Sequence, residues 1–327
     1  MASVWRAIGR SVAGASHHRA KLPNQDALRL WNPHGDGQSV IAAVADGHGS
    51  ATHFRSETGS RFAVEVAEAV LRDLDAALRD GAVLDAETEQ WIREEIVSRW
   101  RAKCIADAEA NPFSSAEEVR LMGAGARDQI FDRALAYGST LLAGLATEGL
   151  LVLLQIGDGD ILAVDSAGTQ FRPFPRDARH VANLTTSLCL PNAVDDVRVT
   201  SLQPGDIAGG SREPVLLIFA TDGYANSFAS SAAFERVVGP QILSQVRERG
   251  LAWVAQVLPR SLKKAAERGA ADDVTMAILT CEDAPAGAIA PGQGRGDAPV
   301  TLGGLLVSVG VVVLVALGLW LWYARYG

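Results

Sequence analysis

The stretch SVIAAVADGHG, residues 39–49, decides how this chain is read. Ser39 to Ala45 is small, apolar and β-branched with no turn former, which predicts a buried strand. The strand runs straight into Asp46-Gly47-His48-Gly49. A carboxylate on a rigid strand end, beside a glycine whose carbonyl can approach an ion, suits a hard divalent cation. An imidazole two residues further on can donate a proton to an alkoxide leaving group. One isolated Asp-Gly is an ordinary turn. Here the pattern recurs: Gly157-Asp158-Gly159 follows an apolar run over Leu150–Ile156, Thr221-Asp222-Gly223 follows one over Val215–Ala220, and Asp272-Asp273 precedes one over Val274–Thr280. Asp46, Asp158, Asp222 and Asp272 therefore share a context, and the turn explanation weakens with each repetition.

Further apolar runs at Thr140–Ala146 and Ile161–Val164 also read as strands. Leu150–Val164, broken at Gly157-Asp158-Gly159-Asp160, reads as a β-hairpin, because Asp-Gly pairs accept positive φ. Ala51–Arg79, Ala86–Ala110 and Ala252–Gly269 carry apolar residues at helical spacing, with Gly81 and Gly250 as breaks. Asn111–Arg127, with its Pro, Ser and Gly, reads as a loop, a candidate flap over the site. Strand pairs in succession, with helices grouped between them, point to antiparallel sheets covered by helices.

Composition narrows the class. The 327 residues are 48% hydrophobic, enough for a sizeable core, and the net charge of -8 disfavours nucleic acid as a partner. Cys104, Cys189 and Cys281 are odd in number and far apart, and read as reduced thiols. Arg6 and Arg10 interrupt the first twenty residues, so no secretory signal is expected. Leu302–Trp322 holds no charged residue, and its 21 residues reach about 31 Å as a helix, the thickness of a bilayer core. Trp320, Trp322, Tyr323 and Tyr326 beside Arg325 fit a lipid–water interface. Ahead of it, 12 of the 16 residues from Ala284 to Pro299 are Ala, Gly or Pro, which reads as a flexible tether. The expected organisation is a catalytic domain over 1–283, a linker over 284–299, a transmembrane helix over 300–323 and a short tail over 324–327. The expected location is the cell membrane, with a single pass in contact with lipid and the catalytic domain in the cytoplasm.

Asn24-Gln25-Asp26, Val44-Ala45-Asp46-Gly47-His48-Gly49, Gly138-Ser139-Thr140, Gly157-Asp158, Thr221-Asp222-Gly223 and Asp272-Asp273-Val274-Thr275 occur in the order of a known motif series. The set resembles the metal-dependent Ser/Thr protein phosphatases of the PPM or PP2C type, in wording close to their bacterial branches. The resemblance implies an α+β fold: a four-layer α-β-β-α sandwich of two antiparallel sheets flanked by helices, here with one C-terminal transmembrane helix added. It implies two Mn2+ or Mg2+ ions, with a third, weaker one, that activate water for hydrolysis of phosphoserine or phosphothreonine in proteins. By position, Asp46 looks like the carboxylate bridging both ions and Gly47 like a carbonyl ligand. Asp222 and Asp272 look like ligands of the first ion, Asp26 like an outer carboxylate holding metal-bound water, and Asp158 like a ligand of the third ion. His48 looks like the general acid, and Gly138-Ser139-Thr140 like a structural strand motif.

Departures from the pattern are equally specific. Lys21 and Gln25 stand where the family often has Arg and Glu, so the phosphate-binding role falls on Lys21, a point charge without the bidentate fork of arginine. Asp273 replaces a frequent Asn, and Gly159-Asp160 replaces the more usual Ser-Arg. Phosphorylated proteins, such as those of a bacterial Ser/Thr kinase system, are the expected partners. The rival readings are a catalytically inactive phosphoprotein-binding scaffold and a hydrolase of small phosphate esters.

Overall fold

The computed structural model describes residues 3–35, 39–123, 132–177, 179, 185–202, 214–268 and 271–283. In chain order it contains β1 (Ser3–Val12), α1 (Ala15–Ala20), β2 (Ala27–Trp31), β3 (Val40–Ala45), α2 (Ser56–Arg79), α3 (Ala86–Ala110) and α4 (Ser115–Gly123). A 3-10 turn at Arg133–Tyr137 leads to β4 (Leu141–Ala146), β5 (Leu151–Ile156), β6 (Asp160–Asp165), β7 (Gln170–Phe171), α5 (Ala193–Asp196) and β8 (Arg198–Leu202). Then come β9 (Pro214–Ala220), α6 (Asp222–Ala225), α7 (Ser231–Arg249), α8 (Leu251–Arg268) and β10 (Val274–Asp283).

Two five-stranded antiparallel sheets result, one in the order β1-β10-β9-β6-β7 and the other β2-β3-β4-β5-β8. The central strands β3, β4 and β9 are apolar along their whole length because both faces are covered. In β3, Ile41, Ala43 and Ala45 pack with Val64, Ala67, Leu71 and Trp100 of α2 and α3. The alternate residues Val40, Ala42 and Val44 meet Leu217, Phe219, Ala277 and Leu279 of the facing sheet. β9 divides the same way: Leu216, Ile218 and Ala220 pack against Phe234, Leu243, Val254 and Leu262 of α7 and α8. The period of two thus sends each strand into two cores, and the layers are helices, sheet, sheet, helices.

Several expectations need correction. β5 and β6 do not form the hairpin expected across Gly157–Asp160. β5 pairs with β4 and β8 in one sheet, whereas β6 pairs with β9 and β7 in the other. Gly157, at φ 101, turns the chain across the sandwich rather than back along β5. The first long helix starts at Ser56, not Ala51, since the preceding residues form a loop whose Arg55 N–H donates to Ala136 O (2.8 Å). Within the segment read as loop, Ser115–Gly123 is helical. Its start is a capping box: the Ser114 N–H and hydroxyl both donate to Glu117 Oε2 at 2.8 Å. β1 pairs with β10 along its full length, from Ser3 opposite Asp283 to Val12 opposite Val274.

Among the described residues no helix is long and apolar enough to cross a membrane. The expected linker, transmembrane helix and tail lie outside the described residues. None of Cys104, Cys189 and Cys281 forms a disulfide among the described residues.

Candidate active site

The ends of β3, β9 and β10 and the β5–β6 crossing bring the acidic positions to one edge of the sandwich. Asp46 sits where β3 meets the entry to β4. Its N–H donates to Thr140 Oγ1 (3.0 Å), and its carbonyl accepts from Thr140 N–H (2.9 Å) and Ser139 Oγ (3.1 Å). Gly47 N–H donates to Gln25 O, and His48 N–H to Gly138 O, each at 3.1 Å. The Asp46–His48 backbone is therefore fastened on both sides, which explains the Gly138-Ser139-Thr140 motif physically. A Cβ at Gly47 would lie 2.7 Å from both Gln25 O and Ser56 O, so only glycine fits there.

Asp26 is buried just before β2. Its Oδ2 accepts from the Thr221 hydroxyl at 2.9 Å, while Oδ1 is buried without a hydrogen-bond partner. Burial pushes its carboxyl up to about 8; the Thr275 hydroxyl opposes the shift and the Asp273 charge adds to it. Asp222 opens α6 and accepts from Asn226 Nδ2 at 3.0 Å. Burial, then the charge of Asp158, raise Asp222 to about 6. Asp46 is raised well above the carboxylate range by burial, then by the charges of Asp26 and Asp222. Three acids are thus held together in a space that disfavours their charged forms.

Asp158 is exposed in the β5–β6 crossing and faces Asp222 across a cavity of about 270 Å³ that Arg172 and Arg176 also line. Asp272 is exposed in the turn before β10, where Ala271 adopts φ 61. It acts on Asp46 and Asp222 through its charge. Among the described residues, the ligand atoms that all lie within 4.8 Å of one another belong to His17, Asp272 and Asp273. Lys21 caps α1 in the left-handed region (φ 55) with an exposed side chain. The structure gives Lys21 a place at the surface of the α1–β2 connection.

His48 is half-buried, and its ring stands 5.1 Å from that of His53, whose Nδ1 meets Leu135 O at 2.5 Å. Burial, then the neighbouring His53, lower His48 to about 4, so its ring is neutral at pH 7 while the site holds no phosphate. His53 was not legible as a site residue; a lone histidine four positions past the motif carries no signal. Thr140, Thr221 and Asp273 lay inside the quoted motifs, but only their backbone context pointed to the site. Gly138 presses on both rings: a Cβ there would lie 2.6 Å from His53 Nδ1 and 2.8 Å from His48 Cδ2. Gly138→Ala is expected to lower kcat about tenfold or more by displacing the His48 ring, with stability falling by about 1–2 kcal/mol. Steady-state kinetics beside thermal melts check this, and an unchanged kcat would show that the ring contact is dispensable.

Residues 13–263 match the family model described as protein phosphatase 2C. No curated protein matches the chain. Among solved structures, PppA, described as a key regulatory component of T6SS in Pseudomonas aeruginosa, is 18% identical, with 86% of this chain and 99% of that chain covered at a TM-score of 0.52. The S. agalactiae serine/threonine phosphatase is 16% identical, with 85% and 100% covered and a TM-score of 0.51. The catalytic domain of the serine/threonine phosphatase PstP, solved with 2 manganese ions, is 17% identical, with 86% and 100% covered and a TM-score of 0.50. At these identities the likeness lies in the fold, and it spans nearly all of each solved chain. The match over residues 13–263 carries more: this chain belongs to the protein phosphatase 2C family, the metal-dependent serine/threonine phosphatases.

Proposed function

We propose that the edge built from Asp46, Asp222, Asp26 and Asp272 holds Mn2+ or Mg2+ and hydrolyses phosphoserine and phosphothreonine in proteins. The observation that carries this reading is the orphaned Oδ1 of buried Asp26, in a cluster where the charges of Asp26 and Asp222 raise the affinity of Asp46 for protons. Buried carboxylates in mutual contact are costly unless a cation joins them, and an all-oxygen donor set fits a hard divalent ion. Asp46, the Gly47 carbonyl, Asp222 and Asp272 would hold two ions, and Asp158 with Asp222 a third. When bound, the ions supply Lewis-acid polarisation and a nucleophilic water at neutral pH.

The chain's own residues do the rest. Thr140, Ser139 and Gln25 lock the Asp46–Gly47 backbone, so the site is preorganised. Asp26, anchored through Thr221, offers Oδ1 as an acceptor that orients the attacking water. Negative charge on a phosphate ester counters the depression of His48, allowing its ring to carry the proton passed to the departing Ser or Thr oxygen. Lys21 meets the phosphoryl oxygens as a single cation, an orientation less constrained than a guanidinium fork. Phosphoproteins of a bacterial kinase system are the fitting substrates.

The test is turnover of a phosphothreonine peptide by the full chain in mild detergent, with Mn2+ or with EDTA. Metal-dependent release of phosphate that disappears in a folded Asp222→Ala variant is expected. Absence of metal-dependent turnover by folded protein would overturn the reading.

Membrane attachment is part of the same proposal, supported by the uncharged run Leu302–Trp322 and the Ala/Gly/Pro-rich residues before it. In this proposal the catalytic unit faces the cytoplasm. Fractionation of the full chain against residues 1–283 tests this: the full chain should sediment with membranes and the shorter one should not.

A further inference from the structure

α1 has no buried residue, so apolar packing does not fix its position. Polar links to the turn before β10 do so instead. Ser16 N–H donates to Ala271 O (2.9 Å), and Gly14 N–H donates to Asp273 Oδ1 (2.7 Å). A Cβ on Gly14 would fall 2.3 Å from the Asp272 carbonyl carbon, which shows how closely the two segments lie. Asp273 Oδ2 also accepts from Gln25 N–H at 2.6 Å, tying in the residue next to Asp26.

The His17 ring lies between the two adjacent carboxylates. Its Nδ1 approaches Asp273 Oδ2 at 2.8 Å, a close contact off the line of a hydrogen bond, and its Nε2 stands 3.8 Å from Asp272 Oδ1. The Asp272 side chain is 52% exposed, so a carboxylate there is free to rotate unless something braces it. Its Oδ1 accepts from the Asp273 N–H at 2.9 Å, and the His17 ring stands beside it at 3.8 Å, beyond hydrogen-bond reach, where it restricts rotation by contact. No hydrogen bond reaches Oδ2 among the described residues. Asp273, by contrast, has each oxygen taken by a backbone N–H, so its carboxylate is occupied in fastening Gly14 and Gln25.

We infer that His17 and Asp273 are positioning residues: His17 braces Asp272 through Oδ1, leaving Oδ2 for a cation, while Asp273 sets the Gln25–Asp26 segment against the same turn. The inference rests on the cation site proposed above. It gives a chemical reason for an Asp at position 273, since an Asn could offer only one acceptor oxygen to the two N–H donors. Outer partners of ligating groups commonly govern metal affinity by about 10–100-fold.

The experiment is calorimetric titration of the full chain with Mn2+, for the unmodified protein and for His17→Ala, His17→Gln and Asp273→Asn, with melting of the metal-free proteins. His17→Ala and Asp273→Asn should weaken Mn2+ binding about tenfold or more, and the Mn2+ concentration for half-maximal rate should rise in parallel. His17→Gln, which can place an amide N–H where Nε2 stands, should keep affinity within about threefold of the unmodified protein. Undiminished Mn2+ affinity in His17→Ala overturns the inference alone. So does a loss that Gln fails to relieve and that tracks a lowered melting temperature. An unmodified chain that binds no Mn2+ overturns the site reading, and this inference with it.

Discussion

Asp46→Asn is expected to lower kcat by about 10³-fold while making the metal-free protein more stable at neutral pH. The activity loss follows from the role proposed for Asp46 as the carboxylate shared by two cations. Removing its charge forfeits cation-assisted stabilisation of the transition state, and about 4 kcal/mol of it is the stated factor in rate. The stability gain follows from burial. Asp46 is half-buried beside Asp26 and Asp222 and raised well above the carboxylate range, so at pH 7 folding without metal favours its protonated form. An unfolded Asp would be ionised at that pH, and the difference opposes folding. Asn is neutral in both states and keeps the shape. The gain should be present at pH 7.5 in EDTA and should vanish near pH 4, where the unfolded Asp is itself protonated. Urea unfolding at the two pH values, beside the phosphatase assay, measures both halves. If Asp46→Asn is inactive but less stable in EDTA at pH 7.5, Asp46 is a structural hydrogen-bonding residue rather than a strained ligand.

The trade between function and stability explains why some parts of this protein were legible in its residues and others were not. Continuous apolar runs such as Val40–Ala45 and Val215–Ala220 announce strands covered on both faces, and the sandwich supplies two covers. Asp46 and Asp222 were legible because each stands at the end of such a strand. The crossing at Gly157 was not, since an Asp-Gly turn is equally good at reversing a chain within one sheet and at passing it to another. Which occurs depends on whether β6 finds a better partner in β9, a strand whose first residue, Pro214, pairs with Asp165 far along the chain. β1 was missed for a related reason: its partner β10 lies at the opposite end of the domain. α4 had a local signal, Ser114 and Glu117 at capping-box spacing, that the Pro and Gly around it obscured. His17 and Asp273 had none, because their meaning arises only when residues about 256 apart meet across β1 and β10. His48 shows the complementary case. Its identity pointed to proton transfer, but the neutral state imposed by burial and His53 emerges only from the packed loop.

Without metal, stability should fall as pH rises from 6.5 to 8, and Mn2+ should abolish the fall. The sign follows from Asp26, whose carboxyl is raised from 3.8 to about 8 in the folded protein. Folded protein therefore keeps a proton that the unfolded chain releases, and the stability present below pH 3.8 is lost progressively as pH climbs to about 8. Asp222, raised to about 6, acts in the same direction but mainly below that pH. His48 acts oppositely, since its folded value of about 4 lies below 6.5 and its contribution is lost as pH falls between them. Above 6.5 the histidine and Asp222 contribute little and with opposite sign, and the slope reports chiefly Asp26 together with Asp46. One proton contributes about 1.4 kcal/mol per pH unit, so the drop over this window should be about 2 kcal/mol for each proton retained. Cations at the site replace those protons as counter-charge to the same carboxylates. Saturating Mn2+ should then raise stability most at pH 8, where protons no longer compete with it. Urea midpoints at pH 6.5 and 8.0, in EDTA and in Mn2+, decide the matter. A flat profile in EDTA would mean that Asp26 and Asp46 are ionised in the metal-free fold, and the cation would then have no buried strain to relieve.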